Sequence, residues 1–242
     1  MNYKINTNIG VVREENQDRA VVVEGSAATL ALLCDGMGGH FGGSLAASIT
    51  INTFASEMDS LPTDKTQIFD WFKVTIKKCK TNMIAEAGND EMKKDMGTTV
   101  TAAIVYKDTK DIYIFNIGDS RTYIFDGLLH QITVDHNLMN YYIIEENMSA
   151  FEASKLPGAA ALTSALGPNK KTNIEAFTID NSNESRTIIL TSDGIHDYIT
   201  KPNFEMIISG DGNMVSKTDE LIKQAIRGES TDNLTIIMLE VE

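Results

Sequence analysis

Apolar and polar positions alternate along the chain in short blocks of the kind that form strands. Nine such runs are rich in β-branched and aromatic residues and are bounded by polar or glycine-containing stretches. Asp126-Gly127 separates two of them and predicts a type I′ hairpin turn, so neighbouring strands are expected to be antiparallel. The predicted strands span residues 20–24, 29–34, 98–106, 112–117, 122–125, 129–134, 174–179, 187–190 and 234–241.

Between the strands, apolar residues recur every three to four positions and predict helices. The clearest of these helices carries Ile68, Phe72 and Met83 on one face and is expected to end at Gly88. Because the helices follow pairs of strands, the order favours an α+β fold with antiparallel sheets covered by helical layers over a parallel doubly wound sheet. The predicted helices span residues 43–57, 68–87, 137–147, 150–154, 204–208 and 214–227.

The chain shows no proline-rich linker, low-complexity tract or internal repeat. We therefore predict a single domain over residues 1–242. Patterning weakens at about residues 138–161, where small residues accumulate at 158–161. This segment is predicted to be a mobile flap that shapes substrate choice, since loops of this kind gate active sites.

Aspartates stand at the ends of several of the predicted strands. Asp35, Asp119 and Asp193 each follow an apolar run and lie beside a glycine, and Asp232 lies just before the terminal run, with Asn233 between them. If these carboxylates converge, they repel one another strongly at low effective dielectric. Divalent ions that prefer oxygen ligands, Mg²⁺ or Mn²⁺, are the natural compensation. The pattern therefore indicates a metal site and a metal-dependent hydrolase.

Charge and composition narrow the range of partners. The chain has 34 acidic residues against 21 lysines and arginines, for a formal net charge of −13. Nucleic acid and anionic lipid are bound through basic patches, so we predict no nucleic-acid and no membrane partner. No apolar stretch approaches the roughly 18 residues needed to span a bilayer, and the two cysteines form no framework. We expect a soluble, cytoplasmic protein.

Five glycines occur among the nine residues 35–43. A nucleotide-binding enzyme is one interpretation of this loop, although the GxGxxG spacing fails at Phe41 and the lysine of a P-loop is missing. The other interpretation is that glycine allows the carbonyl of Gly36 to approach an ion closely, with His40 beside it. Binding of nucleotides in place of Mn²⁺ would favour the first interpretation.

The sequence offers no convincing protein nucleophile. A cysteine phosphatase needs an arginine six positions after the cysteine, and that position after Cys34 is His40. An aspartyl-phosphate mechanism needs a second aspartate two positions after Asp35, where Met37 stands. Water is then the default attacker, since two ions about 3.5–4 Å apart activate a bridging water. Arg13, if near such ions, would offer bidentate donors to a phosphate.

Eight segments, in this order, resemble the motifs of one family. They are residues 13–18, 34–40, 97–99, 118–121, 135–137, 162–167, 192–194 and 232–235, and they span nearly the whole chain. The resemblance is to the metal-dependent protein phosphatases, the type 2C serine/threonine phosphatases, in their bacterial form. It implies a four-layer αββα sandwich, in which two antiparallel β-sheets lie between helical layers and the metals sit at one sheet edge.

The resemblance also implies a set of metal ligands. Asp35 would bridge two ions, Mg²⁺ or Mn²⁺, and Gly36 would offer its carbonyl to one of them. Asp193 and Asp232 would complete the other ion. Asp119, together with Asp193, would support a weaker third ion.

Further roles follow from the same resemblance. Asp18 would hold metal-bound waters, Arg13 would bind the substrate phosphate, and His40 corresponds to the histidine proposed as general acid. The chain departs from the family at Gln17, where a glutamate is usual, and at residues 156–160, which lack the usual arginine of the flap. Gln17 is expected to lower metal affinity, because it removes one negative charge beside Asp18. The change at residues 156–160 is expected to alter the contacts between flap and substrate.

The implied activity is hydrolysis of phosphoserine and phosphothreonine in proteins by in-line attack of the hydroxide that bridges the metals. The partners would be phosphorylated proteins, including a serine/threonine kinase, in bacterial signalling, and the protein is expected to be a monomer. The alternative is a catalytically silent domain of the same fold that binds phosphoproteins or another partner. Mn²⁺ binding without phosphopeptide hydrolysis would favour that alternative.

Overall fold

The computed structural model describes residues 1–38, 42–179 and 186–241. Within these ranges the chain forms twelve strands. They are β1 (Tyr3–Asn8), β2 (Arg19–Glu24), β3 (Ala28–Cys34), β4 (Gly36–Met37), β5 (Gly97–Thr98), β6 (Val100–Tyr106), β7 (Ile112–Ile117), β8 (Arg121–Phe125), β9 (Leu129–Gln131), β10 (Glu175–Ile179), β11 (Arg186–Thr191) and β12 (Leu234–Val241).

Eight α-helical segments lie in the same described part of the chain. They are α1 (Gly42–Glu57), α2 (Ile68–Ala87), α3 (Glu91–Lys94), α4 (Leu138–Glu145), α5 (Ala150–Ala153), α6 (Asp193–His196), α7 (Lys201–Ser209) and α8 (Met214–Arg227). The predicted bounds of α2, α8 and β12 are confirmed to the residue. None of the described helices is both long and apolar enough to cross a membrane.

Two five-stranded sheets form the centre of the fold, and every described strand pair is antiparallel. One sheet has the order β1-β12-β11-β8-β9, the other β10-β7-β6-β3-β2, and β4 with β5 forms a short separate ladder. Helices α1 and α2 cover the second sheet, and α7 and α8 cover the first. The predicted α+β class and four-layer αββα sandwich are confirmed.

Three apolar clusters hold these layers together. One lies between the second sheet and helices α1 and α2, and it includes Phe54 and Phe72. Another fills the space between the two sheets, with Leu33 and Ile237 from opposite sheets fully buried. The third lies under α7 and α8. The strands between two layers are buried on both faces, which explains why β3 and β6 are almost continuously apolar.

The predicted hairpin after β8 is wrong in two details. Residues 126–128 separate β8 from β9, so the loop has three residues and Gly127 adopts a φ of +112°. Strand β9 ends at Gln131 and does not continue to residue 134. The chain turns there because the side chain of Thr133 accepts a hydrogen bond from the backbone N–H of Thr122.

The predicted strand 98–106 is divided into β5 and β6. Its break is at Thr99, whose N–H donates to the carbonyl of Asp35 and so leaves the ladder. Sequence patterning also missed β1, whose residues alternate little, and the short elements α3, α6 and β4. Helix α7 begins three residues before the predicted start, at Lys201, with Pro202 in its first turn.

The antiparallel order determines where the site lies. The ends of β3 and β7 and the start of β2 meet at one edge of the second sheet. The end of β11 and the start of β12 meet at an edge of the first sheet. Five aspartates, Asp18, Asp35, Asp119, Asp193 and Asp232, directly adjoin these strand ends or lie within two residues of them.

Helix α2 is expected to contribute strongly to the stability of the fold through the aromatic side chain of Phe72. Phe72 is fully buried and stacks on Phe115 of β7, with the ring centroids 4.0 Å apart and an interplanar angle of 6°. We predict that Phe72→Ala lowers the free energy of unfolding by about 3–5 kcal/mol, the usual cost of such a cavity. Urea denaturation measures the loss. On the same helix Val74→Ala, at a 49 % exposed position, is the control and should cost under about 1 kcal/mol; equal losses would contradict the prediction.

Candidate active site

The backbone of Asp35 is held by two threonines from the neighbouring segment. Its N–H donates to Oγ1 of Thr99 at 2.9 Å, and its carbonyl accepts from the N–H of Thr99 at 2.8 Å and from Oγ1 of Thr98 at 2.9 Å. These bonds replace the strand ladder just where β3 ends. The side chain of Asp35 is therefore presented from a fixed backbone at the floor of a cleft.

Gly36 lies where no side chain fits. A Cβ atom at this position would overlap the backbone of Gly43 at the start of α1 and lie 2.7 Å from the carbonyl oxygen of Gln17. The close approach brings the first turn of α1 and the segment before β2 against the end of β3. It also means that the Gly36 backbone lines the cleft without a side chain of its own.

Asp18 lies beneath the cleft and is only 3 % exposed. Its Oδ2 accepts a hydrogen bond from Oγ of Ser192 at 2.8 Å, and the same Oγ accepts from the N–H of Thr235 at 3.0 Å. The other oxygen, Oδ1, has no hydrogen-bond partner among the described residues. Burial raises the pKa of Asp18 to about 6.

Asp193 and Asp119 face the same cleft from different sheets. Burial, with the negative charge of Asp119 next in importance, raises the pKa of Asp193 to about 7. Burial and the charge of Asp135 raise the pKa of Asp119 to about 7. The Oδ1 atom of Asp193 is buried and, within the described part of the chain, makes no hydrogen bond.

The other aspartates of the site also act on Asp35. Its pKa lies well above the ordinary range, first because it is buried and then because Asp18 and Asp193 place negative charge nearby. Asp119 and Asp232 act on it in the same direction. Five carboxylates from distant parts of the sequence thus share one electrostatic environment.

Arg13 provides positive charge at this site. Its Nη2 donates to Oδ2 of Asp232 at 2.6 Å, and its side chain is 54 % exposed at the rim of the cleft. The hydrogen bond with Asp232 is the main reason that the pKa of Arg13 is raised. Only one of its guanidinium nitrogens is engaged in this bond, so Arg13, which lines the cleft, has further N–H donors beyond those that bind Asp232.

The structure brings most of the predicted site residues together. Arg13, Gly36 and the cleft-lining aspartates surround a cavity of about 890 Å³, with Asp18 below it. His40 lies outside the described residues, so its predicted position is not tested. Asp126, interpreted from its Asp-Gly pair as a turn residue, lies at the β8–β9 hairpin and does not line the cleft. The cleft-lining aspartates are Asp35, Asp119, Asp193 and Asp232.

The donor set fits hard divalent cations. It offers carboxylate oxygens, two of them buried without a partner in the described chain, and the backbone of Gly36. No three described histidine, cysteine, aspartate or glutamate side chains form a ready-made cage around one point. Such a cage is not required, because Mg²⁺ keeps several waters and is held by one or two carboxylates.

Sequence reasoning missed the groups that support this site. Thr99 holds Asp35, Ser192 holds Asp18, and Asn233 contacts the loop that carries Arg13. Each lies inside a segment that carries the family resemblance, but their side chains have no metal or phosphate chemistry of their own. Glu14 and Glu15 also line the cleft, and nothing in the sequence pattern except their position beside Arg13 indicated that they belong to the site.

Comparisons with known proteins agree with this geometry. The sequence profile described as protein phosphatase 2C matches residues 11–227. The serine/threonine phosphatase stp of Listeria monocytogenes is 28 % identical over 245 residues, which cover 99 % of this chain and 96 % of that protein.

Two solved structures extend the likeness to the whole fold. The S. agalactiae serine/threonine phosphatase superposes with a TM-score of 0.90 at 27 % identity and covers 100 % of this chain and 99 % of its own. The catalytic domain of the serine/threonine protein phosphatase PstP, in complex with two manganese ions, has a TM-score of 0.81 at 25 % identity, covering 100 % and 98 %. The chain belongs to the protein phosphatase 2C family of protein-serine/threonine phosphatases.

Proposed function

We propose that this protein removes phosphate from phosphoserine and phosphothreonine in other proteins, with divalent cations as cofactors. The observation that carries the proposal is the convergence of four aspartates and one arginine on a single open cleft. Acidic residues alone would repel a phosphate dianion, whereas cations held between them reverse the local charge. Relatives that are serine/threonine phosphatases support the reaction, and the two manganese ions in the PstP structure support the cofactor.

The residues that would hold the cations are the ones already at the sheet edges. Asp35 would bind both ions, Mg²⁺ or Mn²⁺, the carbonyl of Gly36 would bind one of them, and Asp193 and Asp232 would bind the other. When bound, these ions would supply Lewis acidity and an activated water for in-line attack on phosphorus. Asp119, with Asp193, would hold a weaker third ion.

Arg13 would bind and orient the phosphate. Its guanidinium sits at the rim of the cleft, is anchored by Asp232, and has further N–H donors in a planar fork that matches phosphate oxygens. Asp18 would orient water within the site, since one of its oxygens is fixed by Ser192 and the other has no partner in the described chain. The role of His40 as general acid stays a prediction.

Residues 138–161 are the proposed flap. Two helices, α4 and α5, form this segment, and α4 has no buried residue. Its two ends are joined by hydrogen bonds from the N–H of Leu138 to the carbonyl of Ala161 and from Met139 to Ala159. Ala160 lines the same cleft as Arg13, so the flap would contact the protein substrate through small and apolar side chains.

The alternatives receive less support. A silent binding domain would not need every acidic group of the site, and yet all five aspartates and Arg13 are in place. A nucleotide site in the glycine loop would need the GxGxxG spacing or the lysine of a P-loop, and the sequence has neither. Under the phosphatase proposal, the substrates would be phosphorylated proteins, a serine/threonine kinase among them, and the protein would act as a monomer.

Replacing one aspartate should abolish the reaction. We expect Asp193→Asn to lower kcat/KM for a small aryl phosphate with Mn²⁺ by at least about 100-fold, because it removes charge that holds a cation. A chelator should lower the wild-type rate as far. Asp126→Asn, which removes the same charge at the β8–β9 hairpin, should change the rate less than about twofold. Full activity of Asp193→Asn, or activity that persists with chelator, would refute the proposal.

The raised pKa values predict how stability depends on pH. Asp18, Asp119 and Asp193 have folded-state pKa values of about 6–7, above the ordinary value of about 3.9 for an unfolded chain. The native state therefore prefers the protonated carboxyls, and this stability is present below about pH 4 and is lost as pH rises towards 7. With chelator present, Tm should fall between pH 5 and 8 by at least about 2–4 °C.

Two controls accompany this Tm series, measured by thermal denaturation. Mn²⁺ should remove the fall and raise Tm at pH 8, because a bound cation stabilises the ionised carboxylates. Asp119→Asn should flatten the curve recorded with chelator. A Tm that rises from pH 5 to 8 without metal would contradict the linkage.

The flap proposal predicts weak protection of its amides. Residues 138–161 should exchange hydrogen at least about tenfold faster than residues of α2, because their opening exposes little buried surface. Hydrogen exchange followed by mass spectrometry measures the difference. Protection equal to that of α2 throughout residues 138–161 would rule out a mobile flap.

A further inference from the structure

The loop that carries Arg13 has no regular secondary structure. It runs from Ile9 to Gln17, between β1 and β2, and its middle residues are exposed. An irregular loop of this kind can hold a phosphate-binding side chain in place only if other groups fix its backbone. The structure supplies those groups from the far end of the chain.

The side chain of Asn233 makes three hydrogen bonds to this loop. Its Nδ2 donates to the carbonyl of Ile9 at 2.9 Å and to the carbonyl of Glu15 at 3.0 Å. Its Oδ1 accepts from the N–H of Gln17 at 2.8 Å. One amide thus joins the start of the loop to its end, with Arg13 between the two attachment points.

Few other side chains could do this. An amide has two N–H donors and a carbonyl acceptor, and Asn233 uses both donors and the acceptor while being only 5 % exposed. An aspartate would turn a carboxylate towards the carbonyls of Ile9 and Glu15. An alanine would leave three backbone groups of the loop without their partner.

The backbone of Asn233 is fixed on the opposite side. Its N–H donates to Oδ1 of Asp232 at 2.8 Å. Its carbonyl lies so close to Gly194 that any Cβ atom there would overlap it. Asn233 belongs to the segment that presents Asp232 to the cleft, and its backbone packs directly against the segment that presents Asp193.

Gly10 provides a second point of contact between loop and strand. It adopts a φ of +81°, and a Cβ atom there would overlap the carbonyl oxygen of Asp232. Its N–H donates to Oδ1 of Asn8 at 2.9 Å. The loop backbone thus lies directly on the residue whose carboxylate receives the hydrogen bond of Arg13.

We infer that Asn233 is a positioning residue for phosphate binding, because its side chain fixes the Ile9–Gln17 loop and so sets Arg13 against the aspartates of the cleft. The inference rests on the proposed function only for the role of Arg13. The tether itself is independent of any cation, since none of the three side-chain bonds involves a carboxylate.

The first test needs neither metal nor substrate. Asn233→Ala should speed hydrogen exchange in residues 9–17 by about tenfold or more, the N–H of Gln17 included, while the strands β11 and β12 keep their protection. Asn213→Ala is the matched control, because Asn213 caps α8 through the N–H of Ser216 and its loss destabilises the fold away from the cleft. Unchanged exchange in the loop would overturn the inference.

The second test separates positioning from metal binding. Inorganic phosphate is titrated as an inhibitor of the Mn²⁺-loaded enzyme, and Mn²⁺ binding is measured by calorimetry. Asn233→Ala should raise the inhibition constant of phosphate about tenfold, as Arg13→Ala also should, and change the Mn²⁺ dissociation constant less than about threefold. In the Arg13→Ala background, Asn233→Ala should add less than about twofold, since neighbouring groups that act together are not additive.

Two outcomes of this test would overturn the inference. One is a loss of Mn²⁺ affinity as large as that of Asp232→Asn, which would mean that Asn233 acts on the metal ligand. The other is an equal effect of Asn233→Ala with and without Arg13. If the wild-type protein neither binds Mn²⁺ nor hydrolyses an aryl phosphate, the proposed function fails, while the exchange experiment still decides whether Asn233 holds the loop.

Discussion

The structure depends on one constraint, which is that aspartates at the edges of two sheets must be held close together although their charges repel one another. Burial and the charges of other site aspartates raise the pKa values of Asp35 and Asp193, and burial and the charge of Asp135 raise that of Asp119, so the fold holds these groups together against their charge. In an ordinary core such a cluster would be replaced by apolar residues, which is often more stable. The proposed cations would explain its presence at the floor of an open cleft, because binding them would offset the cost of the cluster.

The scaffold can bear this cost because its strands belong to a continuous core. Strands β3 and β12 are buried along nearly their whole length, and each leads directly to or from a site aspartate. Their ends are then fixed by short polar bonds, such as those from Thr98 and Thr99 to the backbone of Asp35. Uncharged threonine side chains thus fix the backbone of the charged Asp35. This rigidity keeps the carboxylates from moving apart.

The sequence predicted those parts of the fold that depend on local pattern. Helices α2 and α8 were found because their buried faces repeat regularly, and the strand-end aspartates because each adjoins an apolar run. Strand β1 was missed since its residues are mostly polar and it becomes a strand only by pairing with β12, more than 200 residues away. The role of Thr99 was missed for a similar reason. Its N–H leaves the strand ladder to bind the carbonyl of Asp35, a contact between segments that are distant in the sequence.

The same distinction separates the site residues that sequence reasoning could identify from those it could not. Asp193 and Asp232 are carboxylates beside apolar runs, and this combination is what indicated a metal site. Asn233 has an ordinary amide, and its importance arises only when Ile9, Glu15 and Gln17 are brought against it by the pairing of β1 with β12. The strand that was hardest to predict is therefore the one that delivers the loop of Arg13 to the cleft. The proposed cation and phosphate sites meet because strands β1 and β12 are neighbours in one sheet.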